Sequence, residues 1–167
     1  IPAEEIYNMV KELGKEDSLL ILSMASPEQL QYFFDIEWWQ GDRFQPKRAM
    51  EWLETLDQCD EPETLEWFFK EDFEQKVVLL QSLIKVFKQD EMTDSYEGVE
   101  GLEHFSPDGV YDVFFKTKES KPLRKLILLL AEKEMAFLHE ILEAVIWYPL
   151  TITVEKAYQW RLTRTSE

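Results

Sequence analysis

Cysteine is nearly absent from this 167-residue chain, where Cys59 is the only one. An internal disulfide and a cysteine-based zinc site are therefore excluded, and a reducing, cytoplasmic setting is expected. Histidine is almost as scarce, with two in all. The five glycines are scattered, so the chain has no glycine-rich phosphate loop, and it has no G-x-S-x-G nucleophile elbow. Long apolar runs are missing as well. LILLLA at Leu126 to Ala131 falls far short of the roughly 18 residues of a membrane span, so direct membrane insertion is not expected. No basic segment precedes an apolar stretch at the start, which argues against a secretion signal. The first residue is Ile1 rather than Met, which points to an excerpt or a processed form.

Positive charge is in short supply. Lys and Arg number 18 against 34 Asp and Glu, a net of −16. The deficit is local: residues 1–103 hold 25 acids against 9 bases, whereas residues 104–167 hold 9 of each. Such a surface repels phosphate backbones, so nucleic acid is not an expected partner. It favours a basic protein partner, or a divalent cation wherever carboxylates converge. Hydrophobic residues make up 45% of the chain, enough to build a core.

What is present is a sequence echo. PEQLQYFF at Pro27 returns as PETLEWFF at Pro62, thirty-five residues on. Ser26-Pro27-Glu28-Gln29 reads as a capping box with proline at the first helical position, opening a helix to about Trp39. Pro46 opens the next helix, through Leu56, with Ala49, Met50, Trp52 and Leu53 on its apolar side. In the second copy, Pro62 opens a helix to about Phe69. Phe73–Lys88 follows as a further helix with Val77, Leu80, Leu83, Ile84 and Phe87 as its seam. Upstream, Ala3–Leu13 reads as a helix stopped by Gly14. Glu16–Ala25 reads as a short helix, apolar nearly all round and therefore expected to be buried. Two helices per unit at a period near 35 predict a mainly α fold, an α-solenoid of helix–turn–helix repeats.

Beyond Lys88 the character changes. Residues 89–103 are acidic and polar, and read as a loop or mobile linker. Ser106-Pro107-Asp108-Gly109 is strong turn chemistry, which places a small β-hairpin at about 101–105 and 110–117. Helices resume from Lys121 or Pro122 to about Glu132 and from Lys133 to Trp147. Pro149 breaks the second, and Thr153 is placed to cap a last helix to about Thr163. The expected organisation is a helical-repeat region over 1–88, an acidic loop and hairpin over 89–118, and C-terminal helices over 119–167 packing on the same domain.

Two resemblances follow from these units. Over residues 1–88, Pro-Glu-x-Leu-x-x-Phe-Phe followed by a second helix resembles the superhelical N-terminal domain of MgtE-type magnesium transporters. The whole chain resembles an uncharacterised bacterial family that carries such helical repeats. That impression rests on ASPEQLQYFFDIEWW and PKRAMEWLETL early, DGVYDVFFK in the middle, and ILEAVIWYPL with AYQWR late. It implies no known activity, and without a membrane segment the transporter likeness does not imply transport.

Candidate chemistry is sparse. Glu132, His139 and Glu143 fall at helical spacing on one face, but Glu-x-x-His is absent because position 136 is Ala, and a solvated charged face is the simpler reading. His104 is isolated. Asp57, Asp60, Glu61 and Glu63 cluster around Cys59, without the order or the glycine of a calcium loop. Those acids raise the thiol pKa, against a nucleophilic Cys59. No catalytic residue, cofactor or metal site is assigned. Trp38 and Trp39 stand out, since neighbours on a helix point about 100° apart and one of the two is expected at the surface. With Asp35, Glu37 and Asp42 around them they form a candidate partner surface, an apolar centre in a charged rim. The chain thus reads as a non-enzymatic helical-repeat module that binds another protein, with a basic partner favoured by its charge and its oligomeric state open. The alternative is a divalent-metal-responsive regulatory domain or a metal-dependent enzyme.

Overall fold

The structure, a computed structural model, describes residues 1–59, 73–89 and 97–165. Among them are eight α-helices and two small antiparallel sheets. The chain divides into two units, residues 1–72 with 158–167, and residues 73–157.

In the first unit, α1 (Ala3–Leu13) stops at Gly14, whose φ of 88° lets its N–H close back on the Val10 carbonyl. A 3₁₀ turn (Glu16–Ser18) leads into α2 (Leu19–Ser23). This segment is not buried all round as expected. It is a single short turn with Leu22 inside, while Leu20 and Met24 are each 75% exposed. Helix α3 (Pro27–Glu37) carries the expected capping box: the Gln29 N–H donates to Ser26 Oγ and the Ser26 N–H to Gln29 Oε1. Strands β1 (Trp39–Gln40) and β2 (Arg43–Phe44) form a tight hairpin turned by Gly41 at φ 64°. Helix α4 (Pro46–Cys59) buries Ala49, Met50, Trp52, Leu53 and Leu56, the stripe read from the sequence. The core here is aromatic. Phe34 stacks on Trp38 at 4.0 Å, and Phe33 and Phe34 both meet Trp52 edge-on. Leu30 is fully buried beside them on α3.

The second unit opens with α5 (Phe73–Leu83). The helix expected to reach Lys88 ends five residues earlier, and Ile84–Lys88 is strand β3. The reason is pairing: all five residues of β3 lie opposite β5 (Tyr111–Phe115), in register from Ile84↔Phe115 to Lys88↔Tyr111. Strand β4 (His104–Phe105) pairs with the other edge of β5, so the order is β3-β5-β4. The expected hairpin is present, widened by a third strand. Helices α6 (Lys121–Lys133) and α7 (Met135–Trp147) meet at Glu134. Leu123, Ile127, Leu130, Leu138, Ile141 and Leu142 are buried along them. Helix α8 (Leu150–Thr165) starts before Thr153, which is buried inside it and donates to the Pro149 carbonyl rather than capping the helix.

The octamer PETLEWFF, with Leu65, and the acidic stretch 90–96 lie outside the described residues. The first helix of the expected second hairpin thus falls outside the described residues, and the segment expected as its second helix is shorter than expected and runs into a strand.

Candidate functional site

The five residues of the expected partner surface do gather in the first unit, but not as a patch. Trp38 is 0% and Trp39 3% exposed. The expectation that one indole reaches the surface is corrected by a change of backbone. Helix α3 ends at Glu37, and Trp38 is its C-cap, its N–H still closing on the Phe34 carbonyl. Trp39 already belongs to β1. The 100° offset holds only along a continuing helix, and a helix-to-strand junction turns both side chains inward. Trp39 packs against Phe44 and Tyr158, and its Nε1 is buried without a hydrogen-bond partner among the described residues.

Asp35 is likewise inside, 2% exposed. Arg164 grips it with a two-pronged fork, Nε to Oδ2 and Nη2 to Oδ1, both at 2.7 Å, and Gln31 donates to Oδ1 at 2.9 Å. Arg161 donates to the Asp35 and Gly41 carbonyls and lies over the Trp39 ring. Glu37 accepts from the Tyr7 hydroxyl at 2.9 Å and pairs with Lys11 at 3.0 Å. Burial, reinforced by that hydrogen bond, pushes the Tyr7 hydroxyl up to about 12. Asp42 is exposed in the hairpin turn. The buried members of this group thus anchor α3 and the hairpin to the end of α8.

In the second unit, Glu132 and His139 do not share a helix, because the break at Glu134 puts Glu132 on α6. His139 instead meets Asp108 of the β4–β5 turn, Nε2 to Oδ2 at 2.6 Å. Asp108 also accepts from the Val110 and Tyr111 N–H groups through Oδ1. Glu143 gathers three donors: Lys88 at 2.6 Å and Tyr111 at 2.7 Å on Oε1, and Trp147 Nε1 at 2.9 Å on Oε2. The Lys88 and Tyr111 donors hold its carboxyl below the usual carboxylate value. Together these contacts tie β3, β5 and the turn to α7. Every acceptor named here is already engaged within the protein, which is the signature of a clamp.

The sign of the Glu143 effect sets a pH dependence. Its folded pKa is depressed, so its contribution is present above the unfolded value near 4.5 and fades as pH falls through the lower folded value. Glu143→Gln is expected to cost up to about 1 kcal/mol at pH 7, since the carboxylate is partly solvated. The difference from the parent protein should shrink as pH falls below 4.5 and vanish once the folded carboxyl is itself protonated. Urea unfolding across this range measures it.

Among the described residues, no three His, Cys, Asp or Glu side chains gather so as to hold a metal ion. Cys59 sits at the end of α4 with its sulfur 3.6 Å from the Leu19 and Thr55 carbonyls. Asp60, Glu61 and Glu63 lie outside the described residues. His104 stacks on Phe114 across the sheet.

Among the described residues, one exposed surface feature was not singled out by the sequence reading. Residues 147–152, Trp-Tyr-Pro-Leu-Thr-Ile, are all exposed, and Trp147 is 66% so. They run from the last residue of α7 through Tyr148 and Pro149 into the first turn of α8. The run is held from beneath: Gln81 donates to the Tyr148 carbonyl, Tyr148 packs on Phe73, and Glu143 fixes the Trp147 indole. Proline following an aromatic pair was read only as a helix break.

The structure defines a mainly helical protein with two small antiparallel sheets, and none of its helices is long and apolar enough to cross a membrane among the described residues. The chain belongs to a family of unknown function, DUF6178, whose model matches residues 1–167. No curated protein and no solved structure matches it. The comparisons show no likeness to MgtE-type transporters.

Proposed function

We propose that the protein is a helical module that binds another protein, without catalysis of its own. The exposed run 147–152 is the observation that carries this reading. Five of its six residues are apolar or aromatic, and they are contiguous. An exposed Trp whose indole is oriented by a carboxylate suits a binding anchor, because little side-chain entropy remains to be lost on contact. The acid excess over residues 1–103 favours a basic partner. The octamer echo supports a repeated helical unit as the framework, and the lone cysteine suits a reducing cytosol.

The test is site-specific photo-crosslinking in the native cell. A photoreactive residue replaces Ile152, with a control at Glu119, an exposed position of the same unit. One discrete protein adduct at Ile152, absent at Glu119 and lost on Trp147→Ser, is the expected result. No adduct, or the same adducts at both positions, overturns the reading.

A further inference from the structure

We propose that the α1–α2 face of the first unit binds a basic, amphipathic helical segment of another protein. This rests on the reading of the chain as a protein-binding module, but concerns a different face from residues 147–152. Met9 and Leu13 are four residues apart on α1, and both are substantially exposed. Leu20 and Met24 are four apart along α2 and its cap, and are more exposed still. Each pair shares one side of its element. Methionines at the surface adapt to partner side chains of varied shape.

Charge then selects the occupant. Glu5, Glu12, Glu16 and Asp17 flank these apolar positions and are all exposed. None makes an ion pair among the described residues. The two lysines of the segment are turned elsewhere. Lys11 is spent on Glu37 of α3, and Lys15 reaches Glu51 of α4 and lies over the Trp52 ring. The fold thus sorts its charges, drawing the cations toward its own acids and leaving uncompensated carboxylates beside exposed apolar side chains. A partner with apolar residues along one helical face and Lys or Arg at its margins matches both features.

The probe is a synthetic Leu/Lys peptide of about 18 residues with leucines at helical spacing. Its controls are a scrambled peptide of the same composition and a Leu/Glu counterpart. Binding to the whole chain is followed by fluorescence anisotropy. The patterned basic peptide should bind more tightly than either control, and more weakly as salt is raised. Leu20→Ser with Met24→Ser, and separately Glu12→Lys with Glu16→Lys, should each weaken it by about ten-fold or more. Glu119→Lys with Glu132→Lys, a charge reversal in the second unit, should not. All these positions are exposed, so thermal melts should match the parent protein.

Equal binding of the scrambled peptide means unspecific attraction to an acidic protein, and overturns the proposal. Undiminished binding by the α1–α2 variants overturns this face while leaving the module reading to the crosslinking result. A concentration-dependent dimer dispersed by Leu20→Ser with Met24→Ser overturns it in favour of a second copy of the chain.

Discussion

Arg164→Ala should destabilise the protein by about 3 kcal/mol. Asp35 is a carboxylate almost wholly withdrawn from water, and both its oxygens are held by the Arg164 fork. Truncating the arginine leaves that charge buried beside Gln31, an amide that cannot replace a guanidinium. Loss of one partner from a buried pair costs about 3–5 kcal/mol, against about 0–1 for a surface pair. The lower end of the buried range applies because the Arg164 side chain is 26% exposed, so water can reach the vacated position. The companion variant, Asp35→Asn with Arg164→Met, removes both charges and should recover most of the loss. Urea unfolding with an unchanged m-value is the measurement. A cost for Arg164→Ala below about 1 kcal/mol would class the fork as an ordinary surface pair. Restoration by the neutral pair would separate the cost of a stranded charge from the worth of the bridge itself.

Much of the first unit was legible because its signals are local. Ser26, Pro27 and Gln29 lie within one helical turn, and their chemistry needs nothing distant to act. The α4 stripe from Ala49 to Leu56 has one period and one outcome. The segment 77–88 carries two periods at once. Val77, Leu80, Ile84 and Phe87 fit a helix, while Ile84 and Val86 alternate with Lys85 and Phe87 as in a strand. Pairing with β5, remote in sequence, decides between them. The Asp108–His139 contact spans 31 residues and the Asp35–Arg164 contact 129, distances at which spacing carries no signal. Asp108 was read as a turn former, which it is, but its second oxygen serves α7. Nothing in the sequence marks Lys76 of α5 as a buried residue, although it is 1% exposed. The likeness that led to magnesium transporters rested on helix spacing, a property shared by many helical folds. Trp38 and Trp39 were misplaced for a different reason: the prediction extended a helix through its own cap.

That correction sets a buried tryptophan of the first unit, Trp38, against an exposed one of the second, Trp147. Trp38→Ala should cost about 3–5 kcal/mol, the usual range for emptying a buried aromatic site. Its ring stacks on Phe34 at 4.0 Å and meets Phe44 edge-on at 6.2 Å, and the aromatic contacts add about 0.5–1.5 kcal/mol per pair beyond burial. The void would open beside Phe34, which also packs on Trp52, so collapse could not fill it without disturbing a second large ring. Trp147→Ala should stay within about 1 kcal/mol, since only its bond to Glu143 is lost. The two variants should also separate in the crosslinking experiment at Ile152. Trp38→Ala should change partner capture only under conditions where the protein unfolds. Trp147→Ala should abolish capture from a protein that melts almost as the parent does. If Trp38→Ala instead keeps its stability, the indole is not in the core. If Trp147→Ala keeps its adduct, the exposed run is not the anchor, and binding must be sought on the acidic face of α1 and α2.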